Sequence, residues 1–253
     1  MVGADPQQGK GRGVVSTASY EARPYGVHSA MPISQAYRLC PHAIYLRPNI
    51  SLYSQYSKQV FQVLEHFTPA VQAVSIDEAF MDVGGTVHIY GSAWKLGTEI
   101  KKQIYEETQL TASVGIAPGK SVAKIASDFQ KPDGLVVVNV NEVQQFLEAL
   151  PVTKLWGVGK KTFETLSKLG INTVKQLREF RLEWLEQSFG KLGHHLYQIA
   201  RGIDDREVTT REEIKSVSHE TTFEIDQTDP EVLLSTLLSL SEKVSSRLRK
   251  YGL

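Results

Sequence analysis

The sequence predicts an α+β fold with more than one structural unit, because its hydrophobic pattern changes character along the chain. Strand-like and helix-like patterns alternate between residues 71 and 140, whereas only short helical patterns follow Pro151 until about residue 216. A hydrophobic share of 41% with 22% charged residues is ordinary for a globular protein and argues against disorder. A chain of 253 residues has room for one large domain or for about two or three small ones.

The N-terminal part of the sequence predicts a loop, a short β-branched run and two helices. Gly3–Gly13 is rich in glycine and polar residues and predicts a loop, and Val14–Ser19 is a short β-branched run. Pro32 opens a predicted helix, since proline is favoured in a first turn and apolar residues follow at helical spacing. Leu52–Phe67 repeats apolar positions at three and four residues, which predicts a second amphipathic helix.

The middle of the chain predicts a layer of strands and helices. Val, Ile and Phe dominate the strand segments, and Gly84-Gly85 marks a turn after the first of them. In order, the pattern predicts a strand at Val71–Val83, a helix at Ala93–Thr108, a strand at Thr111–Ile116, a helix at Ser121–Phe129 and a strand at Gly134–Val140.

The C-terminal third differs from this layer. Short helices are predicted after Pro151, a strand at Val217–Phe223 and a long helix at Pro230–Tyr251. These changes of pattern place domain boundaries near residues 49, 140 and 213.

Composition limits the location and the partners of the protein. The sequence contains no apolar run long enough for a transmembrane helix and no basic-then-apolar leader pattern, so we expect a cytoplasmic protein. Its one cysteine, Cys40, is expected to pack as a small apolar residue. The formal net charge is zero, yet residues 151–181 hold seven Lys or Arg against two Glu, a local net charge of +5. Such a stretch suits phosphate contacts, and a solvated helical face is the alternative.

Two adjacent acids, Asp77 and Glu78, lie within an otherwise apolar strand pattern. A buried carboxylate needs a cationic partner, and carboxylate oxygens are ligands that Mg²⁺ accepts. Neighbours on a regular strand point in opposite directions, so the chain must turn or bulge here if both acids reach one site. The alternatives are an acid pair facing water and a supporting role for Glu78. Asp82, followed by Val-Gly-Gly, is expected to form a turn.

The residues around these two acids resemble a motif of a known protein family. The segment Val74–Asp82, which reads VSIDEAFMD, resembles the acidic motif of the Y-family (translesion) DNA polymerases of the bacterial DNA polymerase IV type. This resemblance implies that Asp77 binds catalytic metal ions and that Glu78 completes the acidic site. It implies nucleotidyl transfer of a dNTP to a primer 3′-hydroxyl with two Mg²⁺ ions.

Two further segments resemble the nucleotide-binding parts of that family. Residues 16–23, which read STASYEAR, resemble its fingers motif, so Thr17, Tyr20 and Arg23 are predicted to hold the triphosphate. Residues 115–134 match a long family block in which Lys131 is the predicted phosphate-binding lysine. This block is not a P-loop, because only three residues separate its first two glycines.

Lys120 and Lys124 lie in the same block. They are candidates for contacts with the DNA backbone, or are solvated, and Asp128 is spaced to pair with Lys124.

Residues 155–161, which read LWGVGKK, predict a helix-hairpin-helix. The glycines permit close approach of the backbone to a phosphate, and the N-terminus of the second helix faces it. The predicted DNA-binding residues are Gly157, Gly159, Lys160 and Lys161. Such contacts position DNA without reading its sequence.

The resemblance implies a right-hand polymerase architecture. The predicted domains are fingers at 1–48, a palm with a mixed or antiparallel sheet at 49–140, an all-α thumb at 141–212 and a partial little finger at 213–253. The implied partners are primer–template DNA and a dNTP, with a sliding clamp reached through a C-terminal part not present in this sequence. We expect a monomer without membrane contact.

One family block has no counterpart, namely a first palm strand that carries another metal-binding Asp and a pair of aromatic residues. We therefore expect an incomplete polymerase that is weakly active or inactive, with an unfilled apolar channel beside the Asp77 strand. Two alternatives remain, a non-catalytic DNA-binding module that uses the helix-hairpin-helix alone and a nucleotide-metabolising enzyme of another palm-like family. The second would lack a thumb.

Overall fold

The protein is described by a computed structural model that covers residues 1–210 and 214–253. Its described residues form two compact units, one made of residues 1–52 and 214–253 and the other of residues 53–210. The predicted boundary between residues 212 and 213 lies outside the described residues, and the predicted domain limits remain predictions.

In the first unit, strand β1 (Val2–Gly3) pairs antiparallel with β2 (Val15–Thr17), and helix α1 (Ile33–Leu39) begins after Pro32 as predicted. Their core is a small apolar cluster that contains Val15, Ile33 and Cys40. Cys40 is buried there, which confirms its expected role as a packed apolar residue.

In the second unit, helices pack on two short sheets. Helix α2 spans Ile50–Phe67, β3 Val71–Ala73, β4 Ala79–Met81, α3 Ala93–Thr108, β5 Val114–Ile116, α4 Lys120–Phe129 and β6 Leu135–Val137. The predicted helix at Ala93–Thr108 is confirmed at both ends. The predicted strands at 111–116 and 134–140 are present but shorter.

The prediction of one strand over Val71–Val83 is wrong. The chain instead reverses between β3 and β4, which pair antiparallel from Val71 with Met81 to Ala73 with Ala79. The reversal lets both strands place apolar side chains on α2 and α3, where Val71, Ala79 and Met81 join the buried cluster around Leu96 and Ile100.

The sheets of this unit are mixed in direction, as predicted for a palm. β3 and β4 are antiparallel, whereas β5 and β6 are parallel, and the two pairs remain separate two-stranded sheets within the described residues. Both rest on the same apolar cluster, since Val114 of β5 joins it beside the β3–β4 residues. The two strand pairs thus do not form one continuous sheet among these residues. The apolar channel expected beside the Asp77 strand remains a prediction.

The rest of the second unit is helical, as predicted beyond Pro151. It contains α5 (Val143–Glu148), α6 (Lys160–Lys168), α7 (Val174–Arg178), α8 (Leu182–Phe189) and α9 (Lys191–Ile199). These helices and α4 share one apolar core, whose residues lie between Val122 and Ala200 in the sequence.

The C-terminal segment of the first unit ends in helix α10 (Pro230–Tyr251), whose bounds match the prediction. The strand predicted at Val217–Phe223 is wrong, because these residues form no regular strand. A strand needs a hydrogen-bonded partner, and alternation of side chains does not supply one. No helix in the described part of the chain is long and apolar enough to cross a membrane.

Candidate active site and DNA-binding hairpin

The β3–β4 hairpin, called here the acidic hairpin, presents Asp77 and Glu78 at its turn. Because Ala73 pairs with Ala79, residues 74–78 are left to reverse the chain. The backbone N–H groups of Val74 and Ser75 both donate to the carbonyl oxygen of Glu78, at 2.9 and 3.2 Å. The sequence argument that the chain must turn at these acids is therefore confirmed, whereas their placement inside a strand is wrong.

Asp77 is exposed at the tip of this turn. Its carboxylate accepts a hydrogen bond from the Ser75 hydroxyl at 2.5 Å, and its backbone N–H donates to the same hydroxyl oxygen at 3.2 Å. These local bonds orient the carboxylate without burying it. Asp82 forms a turn as expected, since its carboxylate accepts from the N–H of Gly84 at 2.9 Å.

Glu78 is half-buried and lies in a chain of alternating charges. Its Oε1 is 2.6 Å from Nζ of Lys124, which is also 3.9 Å from Asp128, as its i,i+4 spacing predicted. Asp128 in turn lies 2.5 Å from Nζ of Lys131. The predicted phosphate-binding lysine is thus linked to the acidic hairpin through Asp128 and Lys124.

The acidic hairpin offers oxygen ligands, the type that a hard cation binds. Carboxylate oxygens such as those of Asp77 and Glu78 are the ligands that Mg²⁺ takes together with substrate phosphates and water. The described residues hold no group of three or more His, Cys, Asp or Glu side chains that could bind a metal ion.

In the first unit, the predicted triphosphate-binding residues follow β2. The guanidinium of Arg23 lies 4.1 Å from the centre of the Tyr20 ring, and its Nε donates to the carbonyl of Ala18 at 3.2 Å. Thr17, the last residue of β2, is exposed. The stacked, exposed pair of Tyr20 and Arg23 offers a hydroxyl and a guanidinium to an anion.

The glycine hairpin, residues 155–161, connects a 3-10 turn at Val152–Lys154 to α6. Gly157 has a φ of +94°, a left-handed conformation that side chains disfavour. Gly159 precedes the first turn of α6, and a Cβ built there meets no atom within 4 Å. Lys160 and Lys161 are exposed beside it. The start of α6 thus has open space at Gly159 and two exposed lysines beside it.

The glycine hairpin is supported from below by buried residues. Leu155, Val158 and Leu166 all belong to the apolar core of the helical region. Nε2 of His195 lies 3.1 Å from the carbonyl oxygen of Trp156 and ties the glycine hairpin to α9.

Sequence reasoning missed a third group of residues, centred on Asp204. Its carboxylate accepts the backbone N–H of Ser121 at 2.8 Å, the Ser121 hydroxyl and two bonds from Arg206 at 2.6 and 2.7 Å. Burial alone would raise the pKa of Asp204, but the bonds from Arg206 and Ser121 outweigh it and hold that pKa well below its usual range. The same pairing raises the pKa of Arg206. Only the short spacing of Asp204 and Arg206 was visible in the sequence.

Three family models match successive parts of the chain. A family model described as the impB/mucB/samB family matches residues 4–128. The model of the DNA polymerase-iota thumb domain matches residues 153–204, and that of the impB/mucB/samB C-terminal domain matches residues 214–253.

Similar curated proteins cover almost the entire chain. DNA polymerase IV of Methanoculleus marisnigri is 51% identical over 98% of this chain and 69% of its own length. DNA polymerase IV 2 of Methanosarcina mazei is 47% identical over 100% of this chain and 68% of its own length. The chain belongs to the Y-family DNA polymerases.

Solved Y-family polymerases share the fold. A chimera of the Y-family polymerases Dbh and Dpo4 has a TM-score of 0.87 at 31% identity and covers 97% of this chain and 72% of its own. An insertion ternary complex of Dbh DNA polymerase has a TM-score of 0.75 at 30% identity, over 93% of this chain and 69% of its own. The predicted α+β polymerase fold with a helix-hairpin-helix thumb is confirmed, and so is the enzyme class, a DNA-directed DNA polymerase for lesion bypass.

Proposed function

We propose that this Y-family chain transfers nucleotides at the acidic hairpin, with Asp77 and Glu78 as the ligands of two Mg²⁺ ions. The observation that carries the proposal is the turn that sets Asp77 at an exposed hairpin tip next to Glu78. Bound Mg²⁺ would lower the pKa of the primer 3′-hydroxyl and stabilise the leaving pyrophosphate.

Lys124 gives Glu78 a cationic partner in the protein itself. At 2.6 Å it neutralises the half-buried carboxylate when no other cation is near. We infer that Glu78 binds a metal ion through Oε2 while Oε1 keeps its bond to Lys124, because the two oxygens of a carboxylate can accept from different cations.

The triphosphate is proposed to bind Thr17, Tyr20 and Arg23 in the fingers and Lys131 in the palm. The support is chemical, since hydroxyl, guanidinium and ammonium groups all donate to phosphate oxygens. Asp128 holds Lys131 by an ion pair that is about 40% exposed, which is weak enough for a triphosphate to replace.

Duplex DNA is proposed to bind the glycine hairpin through Gly157, Gly159, Lys160 and Lys161. The open space at Gly159 lets a phosphate approach the first N–H groups of α6, and the two lysines add charge. Binding should therefore fall with salt and show little preference for sequence.

We further propose that the catalytic activity of this chain alone is weak. Within the described residues, Asp77 and Glu78 are not joined by a third side chain of a metal-binding type. Two carboxylates from one turn hold an ion loosely, and an error of about 1 Å in the position of reacting atoms lowers rates strongly.

A primer-extension assay with Mg²⁺ tests both statements. We expect slow templated synthesis by the purified chain and its loss in Asp77→Ala, with Glu107→Ala, an exposed acid on α3, as the matched control. Synthesis that survives Asp77→Ala contradicts the assigned site, and fast synthesis by the parent chain contradicts the proposed weakness.

A non-catalytic DNA-binding role is the second candidate, and the preformed glycine hairpin favours it. Such a module would bind duplex DNA equally well with or without Asp77 and without any effect of a dNTP. Fluorescence anisotropy of labelled duplex, with Asp77→Ala and with added dNTP, separates the two roles.

The remaining partners are proposals as well. We expect the chain to act as a cytoplasmic monomer on primer–template DNA, and a sliding clamp stays a predicted partner. Sedimentation of the chain with and without a primer–template duplex would measure its oligomeric state.

A further inference from the structure

The chain after α9 returns to the N-terminus of α4 as residues 204–209, called here the 204–209 segment. The Asp204 side chain is only 3% exposed and is saturated by hydrogen bonds from Ser121 and Arg206. A Cβ at Gly119 would lie 3.3 Å from Asp204, so glycine leaves room for this close packing. The carboxylate caps the first turn of α4 and fixes the start of the segment there.

Arg206 connects this anchor to Trp156 of the glycine hairpin, and through that ring to the acidic hairpin. Its guanidinium lies 4.8 Å from the centre of the Trp156 ring, and that ring stacks on Phe80 with 5.9 Å between centroids and 23° between planes. Phe80 belongs to β4, two residues after Glu78. Trp156 directly precedes Gly157. The Phe80–Trp156 stack therefore joins the acidic hairpin to the glycine hairpin, and Arg206 lies over its Trp156 member.

A second set of contacts holds the 204–209 segment on the same face of the acidic hairpin. Nζ of Lys120 donates to Oε1 of Gln72 and to the carbonyl of Glu207, both at 2.5 Å. The N–H of Thr209 donates to the same Gln72 oxygen at 3.3 Å. Gln72 is the cross-strand partner of Phe80, so both strands of the hairpin are held.

We propose that Arg206, Trp156 and Phe80 set the spacing between the acidic hairpin and the glycine hairpin. Arg206 is a positioning residue, because it reaches both hairpins through Trp156 while Asp204 holds it in place. The inference rests on the proposed function of the two hairpins, since a fixed spacing matters when one DNA duplex must contact both. Preorganised sites bind more tightly because less motion is lost on binding.

The distance between two spin labels tests this spacing in the full chain. In a Cys40→Ala background, Val74→Cys labels the acidic hairpin and Glu164→Cys labels α6. We expect a narrow distance distribution in this parent and a broader one after Arg206→Lys or Trp156→Ala. The Trp156→Phe variant should instead keep the narrow distribution of the parent, since an aromatic ring remains in the stack.

Arg201→Lys is the matched control for Arg206→Lys. Arg201 also lies over an aromatic ring, 3.6 Å from the centre of Tyr197, and donates to the carbonyl of Arg178. All of these groups lie in the helical region, so this variant should lower the melting temperature without broadening the distribution. Equal widths in the two arginine variants, together with an unchanged Trp156→Ala variant, overturn the proposal.

Duplex affinity supplies the second measurement. We expect Arg206→Lys to weaken binding of a primer–template duplex by about threefold to fivefold, whereas Arg201→Lys leaves it unchanged. A parent chain that does not bind duplex DNA contradicts the function proposed for the glycine hairpin, and the spin-label result then still decides the spacing. Equal affinity of the parent and Arg206→Lys, together with equal distance distributions, contradicts the spacing alone.

Discussion

The acidic hairpin and the glycine hairpin occupy the same unit but rest on different supports. Fully buried residues such as Leu166 support the glycine hairpin, whose backbone turns at a left-handed Gly157. The acidic hairpin carries exposed residues at its turn, including Ile76 at 50% exposure, and its acids depend on local hydrogen bonds and on Lys124. The glycine hairpin is thus supported by a buried apolar core, while the acids of the acidic hairpin depend on polar and charged contacts near the surface.

The largest change in stability is expected at the buried residues that support the glycine hairpin. Leu166→Ala should lower the free energy of unfolding by about 2–5 kcal/mol, because it leaves a cavity in a fully buried site. Ile76→Ala, at the tip of the acidic hairpin, should change it by less than about 0.5 kcal/mol. Urea denaturation of both variants measures the difference, and similar losses would contradict the contrast between the two supports.

The next effect concerns the carboxylate that anchors the 204–209 segment. Asp204→Asn should lower the free energy of unfolding by about 2 kcal/mol at pH 7, because the charge-assisted bonds to Ser121 and Arg206 weaken. The folded pKa of Asp204 is depressed, so its contribution is present at neutral pH and declines as the pH falls below about 4.

Urea denaturation at pH 7 and pH 3 checks this dependence. The difference between the parent and Asp204→Asn should shrink at pH 3, and Asp205→Asn, an exposed neighbour, should show little difference at either pH. A difference that grows at pH 3 would contradict the direction of the pKa shift.

A smaller effect separates binding from stability at the glycine hairpin. Gly159→Ala should weaken duplex binding by about fivefold, a loss of about 1 kcal/mol, because its Cβ would project into the space proposed for a phosphate. Its backbone φ of −83° suits alanine, so the free energy of unfolding should not fall. Anisotropy and urea denaturation measure the two quantities, with Gly85→Ala as a control at another open glycine. Unchanged duplex affinity would exclude a phosphate at Gly159.

The smallest effect concerns the partner of Glu78. Lys124→Met should change the free energy of unfolding by less than about 1 kcal/mol, since both partners are partly exposed and their pairing is screened by salt. A loss of several kcal/mol would show that the acidic hairpin depends on this ion pair for its fold.

Local patterns in the sequence predicted the long helices well. The bounds of α3 and α10 follow from apolar periodicity, and in the structure the side chains of Ser92 and Asp229 cap their first turns. Strands were predicted less well, because pairing depends on residues that are distant or lie across a turn. Val71–Val83 became a hairpin and Val217–Phe223 formed no strand for this reason.

In the candidate site too, local features were predicted from the sequence and contacts between distant residues were not. The motif around Asp77 indicated the acids and the need for a turn, and helical spacing indicated the Lys124–Asp128 pair. Contacts between distant parts of the chain could not be predicted, since Asp204 and Ser121 are 83 residues apart and no local pattern joins them. The same holds for the stacking of Phe80 on Trp156.

The separate two-stranded sheets have a practical consequence for work in solution. In the described residues, β5 pairs only with β6 and β3 only with β4, so both strands of each pair are edge strands. Such edges promote association between copies, and the tendency rises with protein concentration. Samples for spectroscopy should therefore be compared by light scattering over a dilution series before any distance or affinity is assigned to a single chain.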